Sequence, residues 1–483
     1  MKKVLYNLTN PQKNIIELQN VSSENEAVTH IFATLRLKGN LDTDLLQKTL
    51  NIILQKNDVF KLHFEKKGSD FFQYYSEIPE RTFEVKKFDS EDISEYVEYY
   101  KRLPLSFDLL VSFSIVLTPK YTYIFYKTHH IIADGWSMTK VSEQIKEIYT
   151  KLLNGESLDN YTKPAYLDFI NREHDYLNSK HYMLDSKFWE DYVSYINSNK
   201  IFSSYNVFNK NSNRLNFSIP KNISAGIDTF CNSNGITEYT FFLAIFAIYF
   251  SKIYSRDSLV FGTPFLNRQK KYGEMECAGL FVSTLPLNIN VAECSSFVEL
   301  CKNIASSNFS IYKHCHFPYH KIQSFYNNSS NDNSNLYEIG FSYQVNELEY
   351  KMPNGDTGDF CWYFLNTQNN PLTIHLTLPN HERLLSYDYW TSCFSKEDII
   401  QMNEIIFHII NQVLSGTVAL KQLNLLPEFV KPYFNNLFNF GTLPNCNFSV
   451  IDMFSKMACK FPDNTAIVCG NNSITYEDLA KKN

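Results

Sequence analysis

The first 230 residues of this 483-residue chain contain no cysteine, and the ten cysteines that follow include no Cys-x-x-Cys pair. Scattered thiols of this kind favour reduced core side chains and exclude both a disulfide framework and a zinc ribbon. The chain also lacks any cluster of lysine and arginine, and its formal net charge is −6. Such a charge gives no electrostatic basis for binding nucleic acid or an anionic membrane.

Long apolar runs are absent as well. The most apolar segment, residues 239–250, is shorter than the roughly 18 residues that a membrane-spanning helix needs, so it predicts a buried helix over 239–253. Polar residues and a proline interrupt the first 14 residues, which excludes a signal peptide. We therefore expect a cytoplasmic protein without a membrane span.

The composition and length predict a globular protein of two to four units. An apolar stripe predicts a helix over 41–57, with Asp42 or Thr43 as its cap. Strand patterns follow later, over 258–265 and 280–289, and the polar run 327–335 predicts a solvated loop.

The stretch THHIIADGW, residues 128–136, lies where a predicted strand turns into a predicted helix. Residues 121–132 are aromatic and β-branched on both alternating faces, as in a strand buried on both sides. Helical spacing begins at Met138 and ends at Gly155, a natural helix stop. A motif at such a junction combines a rigid strand end with a helix N-terminus.

Three interpretations of His129 and His130 remain open at this point. Neighbouring strand residues point to opposite faces, which disfavours one shared metal ion. The two imidazoles could simply fill a core. Alternatively, one imidazole could accept a proton from an attacking amine, hydroxyl or thiol, because its pKa lies near neutrality. Asp134 would orient the ring or cap the helix, and the amide of Gly135 would stabilise charge on a carbonyl oxygen.

The segment HHIIADG resembles the His-His-x-x-x-Asp-Gly signature of the condensation domains of nonribosomal peptide synthetases, relatives of chloramphenicol acetyltransferase. The resemblance covers about residues 5 to 430. Further segments resemble motifs of the family in the same order: LTNPQKNI (8–15), LPLSFDLL (103–110), YLDF (166–169) with Trp189, GTPFLNR (262–268) and AGLFVSTLPLN (278–288). Ser283, Asn288 and the segment 314–320 depart from the family pattern.

The resemblance implies an α/β fold, an α+β sandwich in which two chloramphenicol-acetyltransferase-like lobes form a V around a central active-site tunnel. The N-terminal lobe would span residues 1–175 and the C-terminal lobe residues 176–437. Residues 438–483 would form a linker and the N-terminal fragment of an adenylation domain, since ITYEDLA resembles its start.

The resemblance also assigns the site. His130 would take or position the proton of an attacking α-amine, within a catalytic motif that includes His129, Asp134 and Gly135. His129 would pack inward and Asp134 would be mainly structural. The resemblance further pairs Asp134 with Arg268, requires no metal or bound cofactor, and places three residues along the substrate tunnel: Trp136, Ser342 and Gln344.

The expected reaction joins an acyl group to the amine of an aminoacyl group on the phosphopantetheine of a downstream carrier protein. The first motif begins at Leu8, which favours a starter domain fed by fatty acyl-CoA over an elongation domain fed by an upstream carrier. A recruitment platform, an epimerisation domain and a free-standing acyltransferase are further alternatives. The expected partners are that carrier and an adenylation domain of the same synthetase, around a monomeric unit.

Overall fold

The computed structural model describes most of the chain, and its contacts group the residues into two compact units, Met1–Leu425 and Leu426–Asn483. The described residues are 3–21, 27–196, 201–202, 210–330, 335–344, 350–379, 382–426, 449–470 and 472–481.

Helices and strands alternate along the first unit. Its described helices are α1 (Asn10–Val21), α2 (Thr43–Lys56), α3 (Ser94–Arg102), α4 (Gly135–Leu153), α5 (Tyr166–Leu177), α6 (Lys180–Ser194), α7 (Lys221–Asn234), α8 (Glu238–Tyr254), α9 (Phe297–Tyr312), α10 (Tyr319–Ser330) and α11 (Lys396–Leu414). Its described strands are β1 (Tyr6–Asn7), β2 (His30–Lys38), β3 (Leu62–Lys67), β4 (Asp70–Tyr75), β5 (Glu84–Lys87), β6 (Val111–Leu117), β7 (Tyr121–His129), β8 (Ser212–Ser218), β9 (Ser258–Phe265), β10 (Ser283–Asn290), β11 (Ile339–Gln344), β12 (Asp359–Tyr363), β13 (Leu372–Thr377) and β14 (Leu384–Trp390).

Two large mixed sheets organise this unit. The first has the strand order β12-β2-β7-β6-β5, and the second has the order β10-β9-β11-β13-β14-β8. A small third sheet has the order β1-β4-β3. Helices α2 and α4 pack together and share a hydrophobic core with the first large sheet. Helices α8, α9 and α11 share a second hydrophobic core with the other large sheet. The expected mixed α/β architecture is therefore confirmed.

The apolar segment after residue 238 forms helix α8, which is buried on every side from Thr240 to Phe250. A helix without a polar face needs neighbours all round, and α7, α9, α11 and strand β9 supply them. The buried helix predicted over 239–253 is thus confirmed. Among the described residues, no single helix has the length and apolar character to cross a membrane; α7 and α8 meet that requirement only together, across a bend of 105°.

Helix α2 confirms the helix predicted over 41–57. The carboxylate of Asp42 caps it by accepting hydrogen bonds from the amides of Asp44 and Leu45. Leu46, Leu50 and other members of the predicted stripe are buried against the sheet. Here the local pattern and the tertiary packing agree.

Two sequence-based boundaries differ from the structure. The loop predicted over 327–335 is wrong for residues 327–330, which end helix α10; residues 331–334 lie outside the described part. Buried Ile322 and Tyr326 anchor that helix, and Asn327 accepts a hydrogen bond from Gln323 at 2.7 Å. Polar side chains bonded to their own helix do not need a loop.

The strand predicted over 280–289 begins only at Ser283. The backbone amides of Phe281 and Val282 donate to the carboxylate of Asp134, at 3.0 and 3.2 Å, instead of to a neighbouring strand. A side-chain acceptor therefore replaces the strand ladder just before β10. The strand predicted over 121–132 likewise ends at His129, where the chain turns.

Residues 350–363, which we call the crossing segment, run from the second sheet to the first. Strand β12 within it pairs antiparallel with β2, so that Trp362 lies opposite Ala33. The wholly buried side chain of Lys146 on α4 holds the segment, because its Nζ donates to the carbonyls of Tyr350 and Thr357 at 2.6 and 2.8 Å. Chain from beyond residue 175 thus completes the first sheet.

The second unit contains α12 (Val450–Lys460), β15 (Thr465–Cys469), β16 (Asn472–Thr475) and α13 (Tyr476–Lys481). Ser449 and Asp452 form a capping box that begins α12, and β15 pairs antiparallel with β16. Apolar side chains remain largely exposed in this unit, including Ile451 at 75 % and Val468 at 69 %.

Replacing Lys146 by Met is predicted to loosen the crossing segment. Two buried carbonyls would lose their donor, which destabilises the fold by about 1–3 kcal/mol for each group left unpaired. Hydrogen exchange should accelerate at the amides of β12. Lys151→Met removes a more exposed lysine from the same helix and should leave that exchange unchanged; equal protection in both variants would contradict the anchoring role of Lys146.

Candidate active site

The motif of residues 129–135 forms a tight turn between the end of β7 and the start of α4. The amide of His130 donates to the carbonyl of Thr29 at 2.7 Å, and the amide of Ile132 donates to the carbonyl of His129 at 3.1 Å. Asp134 caps α4 by accepting a hydrogen bond from the amide of Ser137 at 2.8 Å. The turn is therefore fixed at both ends.

His129 lies in the core, with 1 % of its surface exposed. Its Nδ1 accepts a hydrogen bond from the amide of Ile131 at 3.1 Å, and its Nε2 lies 3.4 Å from Oγ1 of Thr29. An Nδ1 that accepts must be unprotonated, which assigns the proton to Nε2. Burial, with nearby His30 and His130, lowers the pKa of His129 to about 3, so the ring is neutral and holds the turn.

His130 is more exposed than His129, although most of its surface is buried. Its Nδ1 is buried and has no hydrogen-bond partner among the described residues. Burial lowers the pKa of His130, and the backbone of His130 and Ala133 and the carboxylate of Asp134 oppose that effect in part. The imidazole is therefore mainly neutral at pH 7, with one of its two nitrogens unprotonated.

The carboxylate of Asp134 is saturated with donors. Its Oδ1 accepts from Ser137 and its Oδ2 from the amides of Phe281 and Val282, while Nη2 of Arg268 lies 2.9 Å from Oδ1 and 3.2 Å from Oδ2. A carboxylate offers about four lone-pair positions, so these contacts leave none for an imidazole. Asp134 therefore joins the turn of residues 129–135 to the second half of the chain.

Arg268 forms the buried ion pair that the resemblance assigned to it. Its side chain and that of Asp134 are 0 % and 1 % exposed. The other guanidinium nitrogen, Nη1, donates to the carbonyls of Glu274 and Cys277, and the group lies 4.0 Å above the ring of Phe281. Burial alone would raise the pKa of Asp134, but Arg268 and the amide donors hold it below the ordinary value.

Ser137 and Gly279 belong to this network, although sequence reasoning did not single them out. Oγ of Ser137 lies 2.8 Å from Oδ1 of Asp134 and accepts from the amide of Gly279 at 2.9 Å. A Cβ at Gly279 would lie 2.2 Å from the ring of Tyr166, so only glycine fits there. The signal in the sequence was a serine three residues beyond Asp134, at the usual distance for a capped amide.

The three expected tunnel residues lie in two places. Nε1 of Trp136 donates to the carbonyl of Met275 at 2.8 Å, which ties it to the segment around Arg268. Ser342 and Gln344 lie on β11 and are joined to each other by a 2.8 Å hydrogen bond. Within the described residues, no hydrogen bond or ring contact joins either of them to the turn of residues 129–135.

In the described part of the chain, no group of three or more His, Cys, Asp and Glu side chains could hold a metal ion. What the turn presents is a neutral, accessible imidazole beside a helix N-terminus, with the nearest carboxylate engaged elsewhere. This is an arrangement for proton transfer and for the stabilisation of charge on a carbonyl oxygen.

Comparison with known proteins assigns the family. The family described as Condensation domain matches residues 2–432, and the chain therefore belongs to it. Condensation domains form amide bonds by acyl transfer, which makes this a family of acyltransferases.

Sequence relatives are components of peptide synthetases. The chain is 25 % identical over 503 residues to a plipastatin synthase polypeptide of Bacillus subtilis (strain 168), an alignment that covers 99 % of this chain and 19 % of that protein. It is 22 % identical over 458 residues to surfactin synthase subunit 1 of the same organism, covering 91 % and 13 %. The chain thus spans about a fifth or less of the length of these relatives.

Solved structures share the fold. The starter condensation domain of rhizomide synthetase RzmA, as a variant in complex with C8-CoA, matches with a TM-score of 0.75 at 15 % identity, covering 88 % of this chain and 98 % of that one. The first condensation domain of the calcium-dependent antibiotic synthetase gives 0.72 at 16 %, covering 88 % and 99 %. The X-domain in a complex with OxyB from teicoplanin biosynthesis gives 0.74 at 16 %, covering 89 % and 97 %.

Replacing Asp134 by Asn should destabilise the fold strongly, because Arg268 would remain buried without its counter-charge. Removal of one partner of a buried pair typically lowers the free energy of unfolding by about 3–5 kcal/mol. Denaturant unfolding measures this loss. Asp191→Asn, which removes a carboxylate on the exposed surface of α6, is the control. An unfolding midpoint for Asp134→Asn equal to that of the control would contradict the stabilising role of the Asp134–Arg268 pair.

The titration midpoint of the His130 imidazole should lie below pH 6.5. Burial lowers its pKa from the ordinary value of 6.5. Nitrogen-15 NMR of the histidine rings, assigned with His130→Ala, measures the titration. A His130 signal that titrates above pH 6.5 would contradict the assigned environment.

Proposed function

We propose that this chain is a starter condensation domain, which transfers a fatty acyl group from acyl-CoA to the α-amine of an aminoacyl group on a carrier protein. The observation that carries the amide-forming reaction is the mainly neutral and partly exposed imidazole of His130, just before α4. The neighbouring carboxylate of Asp134 is paired with Arg268 and does not hold that imidazole.

The proposed reaction forms one C–N bond and breaks one C–S bond. The α-amine attacks the thioester carbonyl, the nitrogen loses a proton, and the thiol leaves protonated. His130 accepts that proton or orients the amine that carries it. General-base catalysis contributes about 10²–10⁴-fold, and alignment of two bound reactants supplies as much as ~7–11 kcal/mol.

The N-terminus of α4 supports the same chemistry. Gly135 is the first residue of this helix, where backbone amides carry partial positive charge. Negative charge that develops on the thioester carbonyl oxygen would be stabilised there. The role we assign to His129 is structural, since its Nδ1 accepts from Ile131 within the turn and its Nε2 lies beside Oγ1 of Thr29.

Acyl-CoA is the proposed donor because the similar solved structures include two variants of one starter condensation domain, that of rhizomide synthetase RzmA, in complex with C8-CoA. The alternative is an elongation domain that takes its acyl or peptidyl donor from an upstream carrier. Both alternatives require the same geometry at His130, so the donor must be decided by experiment.

A recruitment domain without catalysis is the third candidate, since the X-domain in complex with OxyB shares the fold. The described site argues against it. All elements of an acid–base site are present in this chain: His130, the saturated Asp134, the buried Arg268 and the helix N-terminus at Gly135.

The second unit supports a place in a larger synthetase. We infer that residues 449–481 belong to the start of an adenylation domain, because the segment ITYEDLA resembles the start of such domains. The aminoacyl carrier acted on by this chain would then belong to the same synthetase.

Intact mass spectrometry of a downstream carrier tests the proposal directly. The aminoacyl-loaded carrier is incubated with this protein and acyl-CoAs of several lengths. The expected result is a mass gain of one acyl group with the wild type and with His408→Ala, a histidine variant on the far helix α11, and no gain with His130→Ala.

Two outcomes would contradict parts of the proposal. Transfer only from an acylated or peptidyl carrier would reject acyl-CoA as donor and establish the elongation reaction. Full activity of His130→Ala would reject the assigned catalytic role, provided that circular dichroism shows the variant to be folded.

A further inference from the structure

The start of helix α1 contacts the turn of residues 129–135 directly. Nε2 of Gln12 donates a hydrogen bond to the carbonyl of Ile131 at 3.3 Å, one residue beyond His130. The side chain of Gln12 is wholly buried, and it belongs to the segment LTNPQKNI, to which the proposed reaction gives no role. A buried amide that binds the backbone of this turn from another element can fix how the turn is oriented.

A second buried amide, that of Gln73 on β4, completes the bonding of Gln12. The two amides bind each other reciprocally, because each Nε2 donates to the Oε1 of the other at 2.9 Å. Oε1 of Gln12 also accepts from the amide of Thr9 at 2.9 Å, and Nε2 of Gln73 donates to the carbonyl of Asn7 at 2.8 Å. Every N–H donor of the two amides is therefore used, and one of them binds Ile131.

The backbone is thus restrained on both sides of His130. Before this residue, its own amide donates to the carbonyl of Thr29 at 2.7 Å. After it, the amide of Ile131 donates to Nδ1 of His129, and the carbonyl of Ile131 accepts from Gln12. These bonds set the direction in which the His130 side chain leaves the turn. Misplacement of a reacting group by ~1 Å can lower the rate by ~10²-fold, so the direction matters for catalysis.

We propose that Gln12 is a positioning residue, which holds the carbonyl of Ile131 and thereby keeps the imidazole of His130 in the orientation that acyl transfer requires. This inference rests on the proposed acyl transfer. Within the described residues, Gln73 makes no hydrogen bond to the turn and supports it only through Gln12. The small sheet β1-β4-β3 is coupled to His130 in this way.

The first part of the test compares variants in which Met replaces Gln. Met is an unbranched side chain of similar length without an amide, so Gln12→Met removes the bond to Ile131 with little change in packing. The kcat for acyl transfer should fall by at least ~10-fold while KM for the donor stays unchanged. Gln73→Met disturbs the same buried pair but leaves Gln12 able to bind Ile131, so its kcat should fall by less. An equal or larger loss in Gln73→Met would overturn the proposal.

The matched control is Gln47→Met. Gln47 lies on α2, and its Nε2 also donates to a backbone carbonyl, that of Phe83 at 2.7 Å. Removal of this glutamine should leave kcat at the wild-type value, because it does not contact the turn. A kcat of Gln12→Met equal to that of Gln47→Met would overturn the proposal.

The double variant Gln12→Met with Gln73→Met separates positioning from stability. In Gln12→Met the buried amide of Gln73 loses its partner, and an unpaired buried amide lowers the free energy of unfolding. Replacing both glutamines removes that unpaired amide, so the double variant should recover part of the melting temperature. Its kcat should stay as low as that of Gln12→Met, since Ile131 still lacks its donor. A kcat that recovers together with the stability would overturn the proposal.

A readout without turnover distinguishes failure of this proposal from failure of the proposed reaction. Nitrogen-15 and proton NMR of the His130 ring, assigned with His130→Ala, reports its surroundings in the free protein. The chemical shifts should change in Gln12→Met and match the wild type in Gln47→Met. If the wild type transfers no acyl group from CoA or from a carrier, the proposed reaction fails and these shifts still test Gln12. Unchanged shifts in Gln12→Met overturn the proposal; if that variant does not fold, the double variant is measured in its place.

Discussion

The buried contact between Asp134 and Arg268 is the interaction on which this structure depends. It joins the turn after β7 to the segment before β10, and both side chains are removed from water. Such burial is favourable only when every charge and lone pair finds a partner. Here Ser137, Phe281 and Val282 supply the remaining donors to the carboxylate, and backbone carbonyls accept from the guanidinium.

This arrangement separates the roles of the two conspicuous groups in the motif. Asp134 is charged, and the lone pairs of its carboxylate are all engaged by donors. It contributes to the stability of the fold. His130 is mainly neutral and partly exposed. His129 keeps its proton on Nε2 and fixes the turn from the inside. Asp134 and His129 thus position the turn that carries His130, the residue to which we assign the proton transfer.

Local sequence patterns predicted the parts of the fold that local interactions determine. The cap at Asp42 and the wholly apolar α8 are such cases, because each pattern is complete within one segment. The partner of Asp134 lies 134 residues away, and only the resemblance of GTPFLNR to a family motif indicated Arg268.

Other features could not be predicted from local sequence patterns, because contacts between distant residues determine them. Phe281 and Val282 read as strand residues, yet their amides bind a side chain from the other half of the fold. The crossing segment carries Trp362 to the edge of the first sheet through pairing between distant strands, which no local period records. Lys146 would be expected on a surface, but two carbonyls from residues 350 and 357 draw it into the core. Tertiary contacts decide each of these positions.

In the proposed reaction, Asp134 acts through the fold and His130 through the chemistry. The most direct measurement is the single-turnover rate of amide formation per folded molecule in the charge-free double variant Asp134→Asn with Arg268→Met, far below its melting temperature. A rate within about 10-fold of the wild type, which is below the 10²–10⁴-fold of a general base, agrees with the account. A folded double variant as slow as His130→Ala would contradict it and assign Asp134 a part in the chemistry.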